Sequence, residues 1–182
     1  NKKNRVEQKS IAFHTATKEP SSRYPMISVQ SEDFDFSHEY QTLRQRSLQS
    51  GAIVMFVGLV RDFSENTEVS SMTLEHYPGM TENVLTDIAN QAQQRWPLDG
   101  VRIIHRIGEL HATDQIVLVG VSSAHRIAAY EASQFIMDIL KTEAPFWKKE
   151  STKTQQGEAG ERWVDAKNSD SQQAADWMQA SK

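Results

Sequence analysis

Cysteine is missing from all 182 residues. That excludes disulfides, thiolate metal sites and a thiol nucleophile, so any sulfur chemistry here must bring its sulfur from outside. Long apolar runs are missing too. The two longest, Ala52 to Val60 and Ile116 to Val121, have the length of buried strands and fall far short of a membrane span. No apolar signal segment stands near the start. Nor is there an excess of basic charge: 20 Lys and Arg against 24 Asp and Glu leave a net charge of −4, which argues against a general nucleic-acid surface. The six histidines are scattered with no H-x-x-x-H pair, so no metal site is expected, and no cofactor is expected either. The expectation is a soluble, cytoplasmic protein that does not engage membranes.

What is present suffices for one ordinary core, since 38% of the residues are hydrophobic and 24% charged. Residues 1–25 are polar and aperiodic. They read as an extension outside the fold, either disordered or foreign to the natural chain, with Met26 a plausible start. The folded unit is expected over 26–167, and 168–182 reads as a loose polar tail in which Trp177 and Met178 have the character to dock.

Within that unit a short strand is expected near Ile27 to Val29. Ser37 is the expected N-cap of a helix reaching about Gln49, with Tyr40, Leu43 and Leu48 turned inward. Gly51 breaks this helix and launches the apolar strand that ends at Arg61. A polar loop, Asp62 to Ser70, leads to an alternating strand from Met72 to Tyr77. Pro78-Gly79 turns the chain, and Thr81 caps a helix carrying Val84, Leu85, Ile88, Ala89 and Ala92 inward until Trp96-Pro97 stops it. Strands over Val101 to Ile107 and Gln115 to Ser122 follow, joined through Gly108 and Asp114. Near the end, Gln155 to Gly160 has hairpin-turn chemistry and leads into a strand with Arg162-Trp163-Val164. Three helices that do not alternate strictly with the strands argue for an α+β class.

The most informative stretch runs from Ala124 to Glu150. Ile127, Ala128, Ala132, Phe135, Ile136, Ile139 and Leu140 recur at three- and four-residue intervals, the buried face of a helix from about Ala124 to Lys141. Pro145 forces the chain out of helical geometry near Ala144, so Lys141 closes a helix and Lys148 begins a strand. Lysine in a last turn complements the helix dipole, and a lysine on an emerging strand is usually solvated. Against that reading stand Phe146 and Trp147. These large apolar neighbours are expected to bury, drawing Lys148 to a partly desolvated wall where an amine becomes a base or nucleophile. At the other helix end, Ser122 and Ser123 precede His125 and Arg126. Cations in a first turn are disfavoured by the dipole unless an anion is bound there; the alternative is an exposed turn that happens to be basic.

The residues thus yield a basic set, Arg61, His125, Arg126, Lys141, Lys148 and Arg162, each at the end of an element, and a small anionic ligand as the expected partner. An enzyme and a non-catalytic module holding a nucleotide or phosphoprotein both fit that set.

Longer words narrow the choice. Leu74 to Glu82 (LEHYPGMTE), His105 to Leu110 (HRIGEL), Ser123-Ala124-His125-Arg126, Phe135 to Asp138 and Leu140-Lys141-Thr142 with Ala144 to Lys148 (APFWK) resemble the MoaE family, the large catalytic subunits of molybdopterin synthase. The resemblance covers roughly Ser37 to Gln172 in family order. It implies sulfur transfer to cyclic pyranopterin monophosphate, building the dithiolene of molybdopterin. The sulfur donor it implies is a small ubiquitin-like subunit whose C-terminal Gly-Gly carries a thiocarboxylate. Assembly is expected as a large-subunit homodimer within a heterotetramer. Carried over by position, the essential lysines fall on Lys141 and Lys148, and the substrate contacts on Leu59, Val60, Arg61, His125, Arg126, Lys141, Lys148, Lys149 and Glu150. Leu59 departs from the family, where lysine often follows the glycine; a backbone contact there survives the change. The architecture expected is α+β, a two-layer sheet with helices packed on it (α/β-hammerhead-like) plus a small antiparallel subdomain.

Overall fold

The computed structural model describes residues 26–61, 68–153, 159–164 and 168–179. Of 68–70, 150–153, 159–164, 168–171 and 178–179 it describes the backbone alone. The expected extension 1–25, most of the Asp62 to Ser70 loop and the turn around Gln155 lie outside the described residues.

The chain builds two four-stranded sheets. The first has the order β1-β4-β6-β2, formed by β1 (Met26–Gln30), β2 (Ala52–Leu59), β4 (Leu98–Arg106) and β6 (Gln115–Ser123). Only β1 and β4 run parallel; the β4–β6 and β6–β2 pairs are antiparallel. The central strands are buried on both faces, which is why they read as nearly continuous apolar runs. Val101, Ile103, Val117, Val119 and Val121 face the helices α2 (Met80–Arg95) and α3 (Arg126–Glu143), while Ile104 and Leu118 pack with Phe34 on the other side. On that second face α1 (Phe36–Arg44) sits so close that a Cβ at Gly120 would lie 2.5 Å from Leu43 Cδ1. Any larger residue at 120 would require the Leu43 side chain to shift.

The α1 expectation needs correction at both ends. Asp35, not Ser37, is the N-cap, its Oδ1 accepting from the His38 N–H at 3.0 Å. The helix stops at Arg44, leaving Leu48 93% exposed and Tyr40 at the surface. The inward positions are Leu43 and Glu39, because Arg102 on the sheet offers Glu39 a bidentate partner at 2.7 and 3.1 Å. A carboxylate with such a partner buries where pattern alone places an aromatic.

The N-cap of α2 is Gly79, whose φ of +81° suits glycine and whose N–H donates to Glu82 at 2.7 Å. Thr81, the cap expected from sequence, instead lies fully buried and accepts from the Tyr77 N–H. α3 starts two residues later than expected. Its apolar stripe is as read except for Ile127, which is 63% exposed in the first turn.

The second sheet, order β5-β3-β7-β8, is wholly antiparallel: β3 (Glu68–His76), β5 (Gly108–Leu110), β7 (Phe146–Lys153) and β8 (Ala159–Val164). β5 was expected only as a connection. Three residues give no measurable period, yet they pair with β3 and seat Leu110 in a small core with Val60, Met72 and Leu74. The architecture is α+β, as expected.

The loose tail expected from residue 168 is instead helix α4 (Asn168–Gln179) through 179. Trp177 anchors it, edge-on to Trp96 and Phe135 with centroids 5.8 and 5.7 Å away, and its Nε1–H donates to buried Asp138 at 2.8 Å. One indole and the buried Ala174 dock this helix, too sparse a stripe to register as helical period.

Candidate functional site

Where the two sheets meet, the end of β2, the middle of β3, β4, β6, the C-terminal part of α3 and the start of β7 enclose a cavity of about 640 Å³. Its floor is apolar, with Val57, Met72, Leu74, Val117, Met137 and Leu140 among its walls. Three cations stand at it: Arg61, Lys141 and Lys148. No carboxylate lines it among the described residues, so the field inside favours an anion.

Each cation is placed by an identifiable local cause. Arg61 follows Val60, which is pinned on both backbone sides: its N–H donates to the Asp114 carbonyl at 2.8 Å, and its carbonyl accepts from the Thr113 N–H at 2.8 Å. Lys141 lies in the last turn of α3, exposed, where the dipole favours a positive charge. Pro145 then acts as the sequence indicates. Ala144 is extended at φ −71°, ψ 125°, and β7 begins at Phe146. Lys148 pairs in register with Leu74, and cross-strand partners share a sheet face, so the half-buried lysine stands over the cavity side. The expected desolvated wall exists, although Phe146 alone supplies it from this pair; Trp147 is 47% exposed because strand alternation turns it away.

Leu59, Val60, Arg61, Lys141 and Lys148 are therefore brought together, with Leu59 exposed at the mouth. Lys149 is not among the lining residues; it pairs with Thr73 on the alternate face. Glu150 and Arg162 are register partners across β7 and β8, and their side chains lie outside the described residues. His125 and Arg126 are far away. Arg126 and Lys141 are separated by the length of α3, fifteen residues or about 22 Å. His125 is the N-cap residue, its N–H donating to Ser123 Oγ at 3.2 Å, and both basic side chains are exposed.

One cavity residue carries no sequence signal as a site residue. His105 sits in the apolar strand β4 and is almost fully buried, its ring stacked on Phe146 at 3.7 Å with 17° between planes. Its Nδ1 lies 2.9 Å from the Arg106 carbonyl, an acceptor, which puts the proton on Nδ1. Burial holds its pKa down at about 4, the backbone hydrogen bond opposing and nearby His76 adding a little. The imidazole is neutral. In sequence, a histidine amid valines and isoleucines reads as a satisfied core residue. No group of three His, Asp or Glu arranged to hold a metal occurs among the described residues.

An apolar cavity beneath a cationic rim can hold an anionic ligand with an apolar body, and the amines beside it can transfer protons or stabilise developing negative charge. The family described as MoaE protein matches residues 29–143. The molybdopterin synthase catalytic subunit of Vibrio cholerae is 56% identical over 151 residues, 83% of this chain and 97% of that one. The Escherichia coli protein of the same name is 52% identical over the same shares. Among solved structures, the molybdopterin biosynthesis MoaE protein from Burkholderia ambifaria superposes with a TM-score of 0.71 at 48% identity, covering 85% of this chain and 98% of its own. With the family match spanning more than half the chain and relatives above 50% identity over most of it, this chain belongs to the MoaE family.

Proposed function

We propose that the chain transfers sulfur from the thiocarboxylated C-terminal Gly-Gly of a small ubiquitin-like subunit to cyclic pyranopterin monophosphate, forming the dithiolene of molybdopterin. The observation that carries this reading is the joining of Arg61, Lys141 and Lys148 at one apolar cavity in a chain of this family. The absence of cysteine agrees with a sulfur that arrives on a partner.

In this reading Arg61 holds the substrate phosphate, its guanidinium suited to paired oxygens. The thiocarboxylate sulfur bonds to an oxygen-bearing side-chain carbon of the pterin as the C–O bond at that carbon breaks, the departing oxygen leaving on the phosphate or, once protonated, as water; water then cleaves the acyl–sulfur bond. That leaves a thiolate on the substrate and a carboxylate on the carrier, and a second round supplies the second sulfur. Lys141 and Lys148 share proton transfer and the stabilisation of negative charge at the acyl group. No helix among the described residues is long and apolar enough to cross a membrane; we place the reaction in the cytoplasm.

The length of α3 bears on assembly. His125 and Arg126 of one chain stand about 22 Å from its own Lys141, so as substrate contacts they serve the cavity of a second copy. This is consistent with a homodimer at the centre of a heterotetramer, the small subunits binding away from the twofold axis.

The test is a sulfur-transfer assay with thiocarboxylated small subunit and pterin precursor. Dithiolene product is expected. A small subunit truncated at its Gly-Gly should still bind yet transfer nothing. Absence of product with a folded, assembled complex would overturn the assignment.

A further inference from the structure

The most buried polar side chain lining the cavity is His105, and the reaction as described gives it nothing to do. Its Nδ1 proton is committed to the Arg106 carbonyl. The opposite edge of the ring, Nε2, has no hydrogen-bond partner among the described residues, while the ring itself lines the cavity. One face of the imidazole is stacked on Phe146, two residues before Lys148, which fixes its plane. The result is an oriented lone pair on the apolar floor of a cavity whose rim carries Arg61, Lys141 and Lys148.

We propose that His105 is a substrate-binding residue whose Nε2 accepts a hydrogen bond from a ring N–H of the heterocycle, selecting for a donor at that position. The proposal rests on the function proposed above and deepens it.

Three observations support it. An acceptor facing the cavity is costly to cover without a donor, so a ligand that supplies the N–H gains and one that lacks it loses. The tautomer is locked by a backbone carbonyl, so the ring presents an acceptor and never a donor while neutral. Burial keeps it neutral throughout the ordinary pH range. The floor around it, Val57, Met72, Leu74, Val117, Met137 and Leu140, offers no side-chain donor or charged group. An extended glycine tail, with a carbonyl for every N–H, would strand its carbonyls there. A flat ring carries its polar atoms on its edge and suits apolar walls.

The experiment measures equilibrium binding of two probes separately to the full chain: cyclic pyranopterin monophosphate alone, and the small subunit alone. His105→Phe keeps an aromatic ring against Phe146 and removes the acceptor; His105→Gln restores an acceptor oxygen at about the reach of Nε2. Melting temperatures are recorded for both. H105F should weaken pterin binding about tenfold, H105Q should recover most of that loss, and small-subunit affinity should be unchanged in both. Pterin binding to folded H105F at wild-type strength would overturn the assignment while leaving the proposed function intact. A loss confined to the small subunit would give the N–H to the glycine tail. Equal losses of both probes in both variants would reduce His105 to a structural residue. If the wild-type chain itself failed to bind the pterin, the proposed function would fall and this inference with it.

Discussion

The two ends of α3 carry the same sign of charge into opposite surroundings. At the start, His125 and Arg126 are exposed beside the positive end of the helix dipole, with Ile127 exposed after them. At the finish, Lys141 sits where the dipole favours it, next to an apolar cavity and joined to Lys148 by a short extended turn. A cation in water is screened within about 10 Å, whereas one over an apolar wall keeps its field. The comparison shows that a basic residue acquires chemistry from the wall it stands against. In the proposed assembly one helix serves two places: its C-terminal end completes its own cavity, and its N-terminal end serves a neighbour's.

The strongest way to break the comparison is at the cavity end. Lys141→Ala should lower turnover about a thousandfold or more, the scale of removing a positioned proton donor or charge stabiliser. The melting temperature should barely move, since an exposed lysine contributes within about 0.5 kcal/mol. Single-turnover kinetics with circular dichroism would check this; a folded variant that works at the normal rate would remove Lys141 from the mechanism.

Burial offers the second contrast. His105, under the cavity, has a folded pKa near 4 against an ordinary 6.5, depressed mainly by burial. As pH falls through that window the unfolded chain takes up a proton that the folded chain refuses, so stability rises with pH there and falls as acid is added. The full contribution is present above pH 6.5 and about 3 kcal/mol of it is lost by pH 4. Denaturant midpoints over this range should show a shallower acid loss in His105→Gln than in the wild type, and the same slope as the wild type in Arg126→Ala. Parallel curves for wild type and H105Q would mean that His105 is not buried neutral.

The contrast between the helix ends also marks where sequence is legible. Pro145, the apolar stripe of α3 and the strand run ending at Arg61 each have a local cause, so the turn between Lys141 and Lys148 was readable before any coordinates. The misreadings share a different origin, a partner distant in sequence. Glu39 turns inward because Arg102 waits on the sheet, 63 residues away, displacing the expected Tyr40. α4 is fastened by the reach of Trp177 to Asp138, 39 residues back, which no window of composition contains. His105 belongs to the cavity only because β3 and β7 fold over β4, and nothing around it in sequence tells a floor from a core. The separation of Arg126 from Lys141 follows from the length of α3, which puts the two residues at opposite ends of one helix.

That separation leads to the smallest and most specific effect. Arg126→Ala should weaken binding of the phosphorylated precursor by about tenfold, the loss expected for one charge-assisted hydrogen bond, and should leave a dephosphorylated analogue nearly indifferent. If α3 reaches a neighbour's cavity, the lesion lies in the partner's site. Subunits carrying Lys141→Ala and subunits carrying Arg126→Ala, each impaired alone, can then be mixed and allowed to exchange. A mixed dimer holds one site with both lesions and one with neither. Random exchange makes half of the dimers mixed, so about a quarter of all sites should regain both wild-type binding and turnover. Titrating precursor at concentrations below the Arg126→Ala dissociation constant separates these restored sites from the weak ones. No recovery after demonstrated exchange would place Arg126 outside the partner's cavity and leave its end of α3 an exposed basic turn.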